Sequence, residues 1–354
     1  MSSPRLEVDL GKIEANARSL VDRLRRRGIA VTGVTKAVLA APAVADALAR
    51  GGVSGLGDSR VQNLERLRAH GSTLPRTLIR SPMLSEANAV VREADCSLNS
   101  EASIIDALDA AARGVGAIHG VILMVELGDL REGLAPPVVV SLARDVDRLN
   151  GVDLVGLGTN LACQSGIAPD QAKMDELSGL VEAVETAIGR HLSVVSGGNS
   201  ANLGWALTTS DVGRVNDLRL GESILLGTDP LYRTALDGLH TDACVLIAEV
   251  IEVQTKPSQS WGTAGQAAFG APPIRGASRL RRQALVAIGQ QDVDPQGLIP
   301  PAGALVVGAS SDHLVLDVGD LTLAVGDELS FAPNYSALVR AMTSPFVTKV
   351  YTSA

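Results

Sequence analysis

The stretch Ile29-Ala-Val-Thr-Gly-Val-Thr-Lys-Ala-Val-Leu39 decides how the rest of the chain is read. It is apolar and rich in β-branched residues, with one cation, Lys36, near its end. Strands of a parallel sheet are covered on both faces and read as short continuous apolar runs. The stretch therefore predicts a buried parallel strand. A lysine in such a place is costly unless its charge is lost or paired. Burial also favours the neutral amine, a nucleophile able to form a Schiff base. The ordinary alternative is an edge lysine whose stem packs while its head reaches water. The strand alone leaves both readings open.

On either side, strand and helix signals alternate. Residues 4–10 alternate polar and apolar as a strand. Residues 12–27 place Ile13, Ala17, Leu20, Val21 and Leu24 on one stripe of a helix. A helix from Pro42 to Arg50 should stop at Gly51-Gly52. Further strands are expected at 55–58, 76–80, 96–99, 119–127, 154–160, 192–196 and 218–226, each but the last followed by a helical segment. Ser59 and Gln62 suggest a capping box for the helix after 55–58. With the Lys36 strand this makes eight units, which predicts an α/β fold, a TIM-type (β/α)8 barrel over residues 11–232. The strand ends carry Lys36, Asp58-Ser59-Arg60, Arg80-Ser81, Asn99-Ser100-Glu101, Glu126 with Asp129 and Arg131, Thr159-Asn160, Ser196 to Ser200, and Arg219 to Glu222. Chemistry in such barrels sits at the C-terminal ends of the strands, so this ring favours a functional Lys36.

After residue 232 the pattern becomes β-rich, with Gly319-Asp320 and Gly326-Asp327 as turns. A second domain of residues 1–10 and 233–354 is expected. A long loop at 256–282 holds Trp261 and Phe269, and loops of that length are usually functional or mobile. The composition, 46% hydrophobic and 20% charged, is that of a globular enzyme. A net charge of −8 argues against a nucleic-acid surface. No apolar run reaches the ~18 residues of a membrane span, and no signal peptide opens the chain. The three cysteines, Cys96, Cys163 and Cys244, are widely spaced and read as free thiols of a cytoplasmic protein. Neither a disulfide frame nor a metal site is expected.

Two loops carry the chemical signal. Ser196-Gly-Gly-Asn-Ser200 follows the seventh strand, and Arg219-Leu-Gly-Glu222 ends the eighth. Gly197, Gly198, Gly221 and the Ser200 hydroxyl suit a phosphate held by backbone N–H groups, although a glycine pair can be an ordinary turn. Across the barrel from a nucleophilic lysine, they point to pyridoxal phosphate, which needs an amine for its aldehyde and a cradle for its phosphate.

The chain resembles the fold-type III pyridoxal-phosphate enzymes of the alanine racemase superfamily, and within them the ornithine racemase-like branch. PRLEVDLGKIEANA, VTGVTKAV, LGDSRVQNL, MLSEANAVVREADCSLNSE, LMVELGDLREG, GLGTNLAC, SGGNSANL, LRLGESILLG, AIGQQDV, GASSDHLVLDV and AMTSPFV run in that branch's order. The resemblance implies that Lys36 holds the cofactor and then acts as one of two acid/bases at the substrate α-carbon. It implies that Arg219 faces the pyridine nitrogen and keeps it unprotonated. Ser200, Gly221, Glu222 (the last two through backbone N–H) and Tyr335 match the phosphate site. Asn160 and Arg131 match positions flanking the ring. For Arg131 a surface pair with Asp129 or Glu132 stays open, and for Tyr335 a half-buried tyrosine of the second domain.

The sequence departs from alanine racemases at Ala40, where they carry a phosphate-binding tyrosine, and around Trp261, where no tyrosine supplies the opposite-face base. Asp312, His313, Asp292 and Tyr335 are candidates for that base. His313, with its near-neutral reference pKa, suits proton transfer, but also reads as a satisfied histidine at a strand start. The implied reaction is racemisation of a basic amino acid such as ornithine or lysine, or of alanine. A side-chain ammonium would need a carboxylate from Glu126, Asp129, Glu132 or Glu222. The rival readings are a non-catalytic pyridoxal-phosphate carrier and a fold-type III decarboxylase or aldolase. The resemblance further implies a head-to-tail homodimer in which the 256–282 loop reaches the partner's site.

Overall fold

The structure, a computed structural model, describes residues 3–263, 265–266, 268–269 and 278–353. Contacts divide the chain into two units, Gly11–Thr241 and Met1–Leu10 with Asp242–Ala354.

The Gly11–Thr241 unit is a closed barrel of eight parallel strands. They are Ala30–Val34, Gly55–Asp58, Arg76–Leu78, Cys96–Asn99, His119–Val125, Val152–Thr159, Val194–Asn199 and Asp217–Leu220. The first and last strands close the ring, with Thr32 opposite Arg219. All seven residues of His119–Val125 are buried, as expected of a strand covered on both faces. Leu98, Ile122 and Met124 form a buried cluster, with Ile79, Cys96, Val155 and Val194 packed against it. The helix Leu10–Arg25 buries the stripe read from the sequence, Ile13 to Leu24. Each leucine, isoleucine or valine of that stripe contributes roughly 1.5–3 kcal/mol of burial.

Several elements end elsewhere than the sequence suggests. The strand read as 29–39 stops at Val34, and Lys36–Val38 is a 3-10 turn. Leu39 and Ala40 then take left-handed φ angles of 52° and 51°. The turn is closed by Val38 N–H and Ala40 N–H, which both donate to Thr35 O, while the Arg66 guanidinium donates to Leu39 O. Two consecutive non-glycine residues in this region cost about 1–2 kcal/mol each. Strain of this kind clusters at functional sites. The strand read as 218–226 likewise stops at Leu220 and gives way to the short helix Glu222–Leu226. The Ser59–Gln62 capping box does not form. Asp58 Oδ1 instead accepts from Arg60 N–H and Asn63 Nδ2, both at 3.0 Å, and Gln62 donates to Glu86. The boundary read after residue 232 falls later because residues 233–241 are tied to the barrel unit. Leu236 N–H donates to Gly227 O, and the buried Asn16 exchanges bonds of 2.7 and 2.8 Å with the His240 backbone.

The other unit is mainly antiparallel. Its strands run in the order Leu298–Ile299, Glu328–Pro333, Cys244–Pro257, Leu280–Val286, Leu314–Asp317 and Leu305–Ala309. Arg5–Asp9 pairs antiparallel with Cys244–Pro257 and parallel with Thr348–Thr352. The helix Tyr335–Thr343 was not read from the sequence, though Asn334 is a side-chain cap that accepts from Ala337 N–H at 3.0 Å. Residues 264, 267 and 270–277 of the expected 256–282 loop lie outside the described residues. Among those described, no helix is long and apolar enough to cross a membrane.

One buried histidine sets an acid limit. His119 is 1% exposed, and its Nε2 lies 2.8 Å from Ser97 Oγ, which accepts from Asn99 Nδ2 at 3.0 Å. Burial pushes His119 down to about 4. The unfolded chain then binds one more proton than the native chain between the ordinary histidine value of ~6.5 and about 4. Stability is present above the upper limit and lost progressively as pH falls through that window. Denaturant midpoints measured from pH 7 to pH 4 should fall for the natural chain. They should fall less for His119→Gln, and equal slopes would remove His119 as the cause.

Candidate active site

The site grows from the first barrel strand. Thr35, fully buried, donates its hydroxyl to Asp58 Oδ2 at 2.7 Å. Asp58 is itself fully buried, and burial raises its carboxyl above the usual range, against the bonds from Asn63 and Thr35. This bracket fixes the residue before Lys36. Lys36 is half-buried. Its side chain makes no hydrogen bond or ion pair with the described residues, but its charge acts on Glu222.

Arg219, 5% exposed, lies on the last strand. Its guanidinium donates to Ser196 Oγ, to Thr159 O at 2.8 Å and to Asn160 Oδ1 at 3.4 Å. The Ser196 hydroxyl in turn donates to Asp217 Oδ2 at 2.6 Å, and Thr32 donates to Asp217 Oδ1 at 2.8 Å. Burial lowers the Arg219 guanidinium from its ordinary value, and the Asp217 charge opposes that shift. Burial raises Asp217. Four strands thus hold one cation in a fixed orientation.

Beside it, Asn199 Nδ2 donates to Asn160 Oδ1 and Leu161 O, both at 2.9 Å, and to Cys163 Sγ at 3.4 Å. Asn160 Nδ2 is buried without a hydrogen-bond partner. Neither Asn199 nor Cys163 was singled out as a site residue in the sequence, because isolated asparagines and cysteines carry no periodic signal. Arg131 forms a two-pronged pair with Glu132, one bond at 2.5 Å. That is the pairing left open in the sequence reading, yet the charges of both residues also reach Arg219.

Ser200, 4% exposed, sits where two loops meet. Its Oγ accepts from Ser223 N–H at 3.2 Å, from Ser223 Oγ at 3.0 Å and weakly from Gly221 N–H at 3.4 Å. A Cβ on Gly221 would stand 3.1 Å from Val34 Cβ, so glycine lets this loop close onto the strand that leads to Lys36. Glu222 is half-buried, and its Oε1 accepts from Arg233 at 2.6 Å. The barrel thus brings Lys36, Arg131, Asn160, Ser200, Arg219, Gly221 and Glu222 to the C-terminal ends of its strands.

Residues 8–229 match the family model of the alanine racemase N-terminal domain. The chain belongs to the alanine racemase family. A lysine racemase from Thermotoga maritima is 39% identical over 354 residues, 99% of each chain. An ornithine racemase from Acetoanaerobium sticklandii is 34% identical over 351 residues, 98% of this chain and 99% of that protein. The crystal structure of alanine racemase from D-cycloserine producing Streptomyces lavendulae aligns with a TM-score of 0.77 at 21% identity, covering 100% of this chain and 98% of that one, and shows the same fold. Full-length likeness to two racemases identifies this family member as an amino-acid racemase that acts on a small-molecule amino acid with pyridoxal phosphate as cofactor. It sets aside the carrier, decarboxylase and aldolase readings.

The residues present fit that cofactor. Among the described residues, an unpaired amine, an orphaned buried amide nitrogen on Asn160 and a hydroxyl at a glycine-closed loop are the groups an aldehyde, an aromatic ring and a phosphate require. The racemase's second unit holds the remaining candidates. His313 Nδ1 lies 2.9 Å from Asp312 Oδ1, and the side chains are 42% and 56% exposed. His313 pulls the Asp312 carboxyl below its ordinary value. Asp292 is 5% exposed and accepts from Ser344 Oγ at 2.7 Å. Tyr335 is half-buried and opens a helix rather than lying on a strand.

Proposed function

We propose that this racemase interconverts the L and D forms of a basic amino acid, lysine or ornithine, with Lys36 moving the proton on one face of the α-carbon. The observation that carries the assignment is a half-buried amine without a partner among the described residues, presented on a strained turn beside the Arg219 network. Bound pyridoxal phosphate supplies an electron sink for the negative charge that develops at the α-carbon. Lys36 takes or returns the α-proton, the work of a positioned general acid/base. Arg219 would face the ring nitrogen. A guanidinium gives up no proton, so that nitrogen stays unprotonated and side reactions are disfavoured. Ser200 Oγ, the backbone N–H groups of Gly221 and Glu222, and Tyr335 would hold the phosphate. Asn160 and Arg131 would flank the ring.

A racemase needs a proton group on the opposite face, and the exposed Asp312–His313 pair is our assignment, because Asp292 is buried against Ser344. We infer a cytoplasmic head-to-tail homodimer. Exposed apolar side chains on segments of the barrel unit, Leu84 at 59% in a 3-10 turn, Leu130 at 78% in the loop after His119–Val125 and Tyr232 at 71% in the loop after the helix Glu222–Leu226, support a covering partner. The test is incubation of the purified holoenzyme with L-lysine, L-ornithine or L-alanine in D2O. Deuterium at the α-carbon and the D isomer should appear fastest with a basic amino acid. Exchange confined to alanine would reverse the substrate assignment. A fully active monomer in sedimentation would remove the dimer.

A further inference from the structure

Resting on the basic-substrate reading, we propose that Glu222 reads the distal ammonium of the substrate, through Oε2. The sequence offers four carboxylates at the strand ends for this task, and the structure separates them. Glu126 spends Oε1 on Gly128 N–H at 2.5 Å and Oε2 on Arg131 N–H at 3.2 Å. Asp129 is fully buried and spends its oxygens on Gln164 and Ser165 N–H at 3.0 and 2.9 Å, clamping two loops together. Glu132 has both oxygens on the Arg131 fork. Glu222 alone of the four keeps an oxygen, Oε2, without a hydrogen-bond partner among the described residues.

Its surroundings match the role. The Glu222 side chain is 13% exposed and is paired only through Oε1, by an arginine that is itself 61% exposed. Arg233 sits at a left-handed φ of 58° in a loop pinned by Asp229, which accepts from Leu231 and Tyr232 N–H. Burial raises the Glu222 carboxyl, and the charges of Arg233 and Lys36 counter it, so a further cation would be welcome. Glu222 directly follows Gly221, whose loop closes on Val34 two residues before Lys36, and this adjacency puts Glu222 in the neighbourhood of the reacting amine. A site built to bond a substrate N–H group discriminates strongly against an analogue without it, since a desolvated acceptor is left underpaired.

The experiment compares L-lysine with L-norleucine, the same chain without its terminal amine, in the holoenzyme. For Glu222→Gln, kcat/KM for lysine should fall roughly 100-fold, the scale of removing one partner of a buried charge pair. Norleucine, which has no distal ammonium to lose, should fall roughly tenfold less than lysine does. Glu222→Asp, one methylene shorter, should keep the preference for an ammonium but shift it from ornithine towards lysine, and it serves where the Gln variant fails to fold. An equal loss for lysine and norleucine in Glu222→Gln would overturn the proposal, because it would place Glu222 in support of Lys36. A natural enzyme that already prefers norleucine or alanine to lysine would instead defeat the basic-substrate reading, a result visible before any substitution is made.

Discussion

Lys36→Ala should lose racemisation by about 10³-fold or more in kcat, the scale of removing a positioned acid/base together with a covalent attachment. It should also lose the visible absorbance band of lysine-linked cofactor. The substitution should leave the fold intact. The Lys36 side chain makes no hydrogen bond or ion pair with the described residues, and the turn is closed by backbone groups of Thr35, Val38 and Ala40. Lys36→Arg should be equally inactive, because a guanidinium neither attacks an aldehyde nor gives up its proton. Activity, absorbance and melting temperature are measured on the same samples. A variant that keeps a tenth of its turnover would remove Lys36 from the chemistry.

Arg219→Ala should be the most destabilising change at the site, by about 3–5 kcal/mol, because it strips a buried charge from a connected network. Ser196 Oγ and Thr159 O would lose the guanidinium donor, Asn160 Oδ1 would keep Asn199 Nδ2, and Asp217 would keep the Ser196 and Thr32 hydroxyls. Arg219→Lys should recover little, since one ammonium does not span three acceptors at the ends of two strands. Asp217→Asn in the Arg219→Ala background should restore part of the loss, because it removes the charge left uncompensated. Guanidinium denaturation followed by fluorescence of Trp205, 9% exposed in the barrel unit, measures each step. Additive losses in the double variant would mean that the two residues are not coupled.

Much of this was readable in the chain. Eight apolar runs at regular spacing suffice for the barrel, because a strand covered on both faces leaves a local signature. The polar residues just past those runs mark the mouth by position alone. What the sequence hides is geometry that depends on distant partners. Lys36 lies beyond the strand rather than in it, since the turn is set by Gly57, Asp58 and Arg66, residues remote in sequence. The carboxylates at 126, 129, 132 and 222 look alike in the sequence. They differ in the fold only because different backbone N–H groups and arginines reach them. Asn199 and Cys163 escape notice for the same reason. The helix at Tyr335–Thr343 was legible through Asn334 but was masked by the β-rich residues around it.

The pairing of Arg5–Asp9 with Thr348–Thr352 has a consequence for the order in which the protein forms. The barrel unit, Gly11–Thr241, is continuous in sequence, so it can fold as soon as its last strand leaves the ribosome. The strand Arg5–Asp9, made first, has both of its neighbours far downstream, Cys244–Pro257 and then Thr348–Thr352. It must wait through the whole synthesis of the barrel as an unpaired edge, the state in which strands seek wrong partners. At a typical 5–20 residues per second, that wait lasts on the order of ten seconds or more. Overexpression should therefore fail first through this strand, and a chaperone that covers the nascent Arg5–Asp9 segment should raise the yield of folded enzyme.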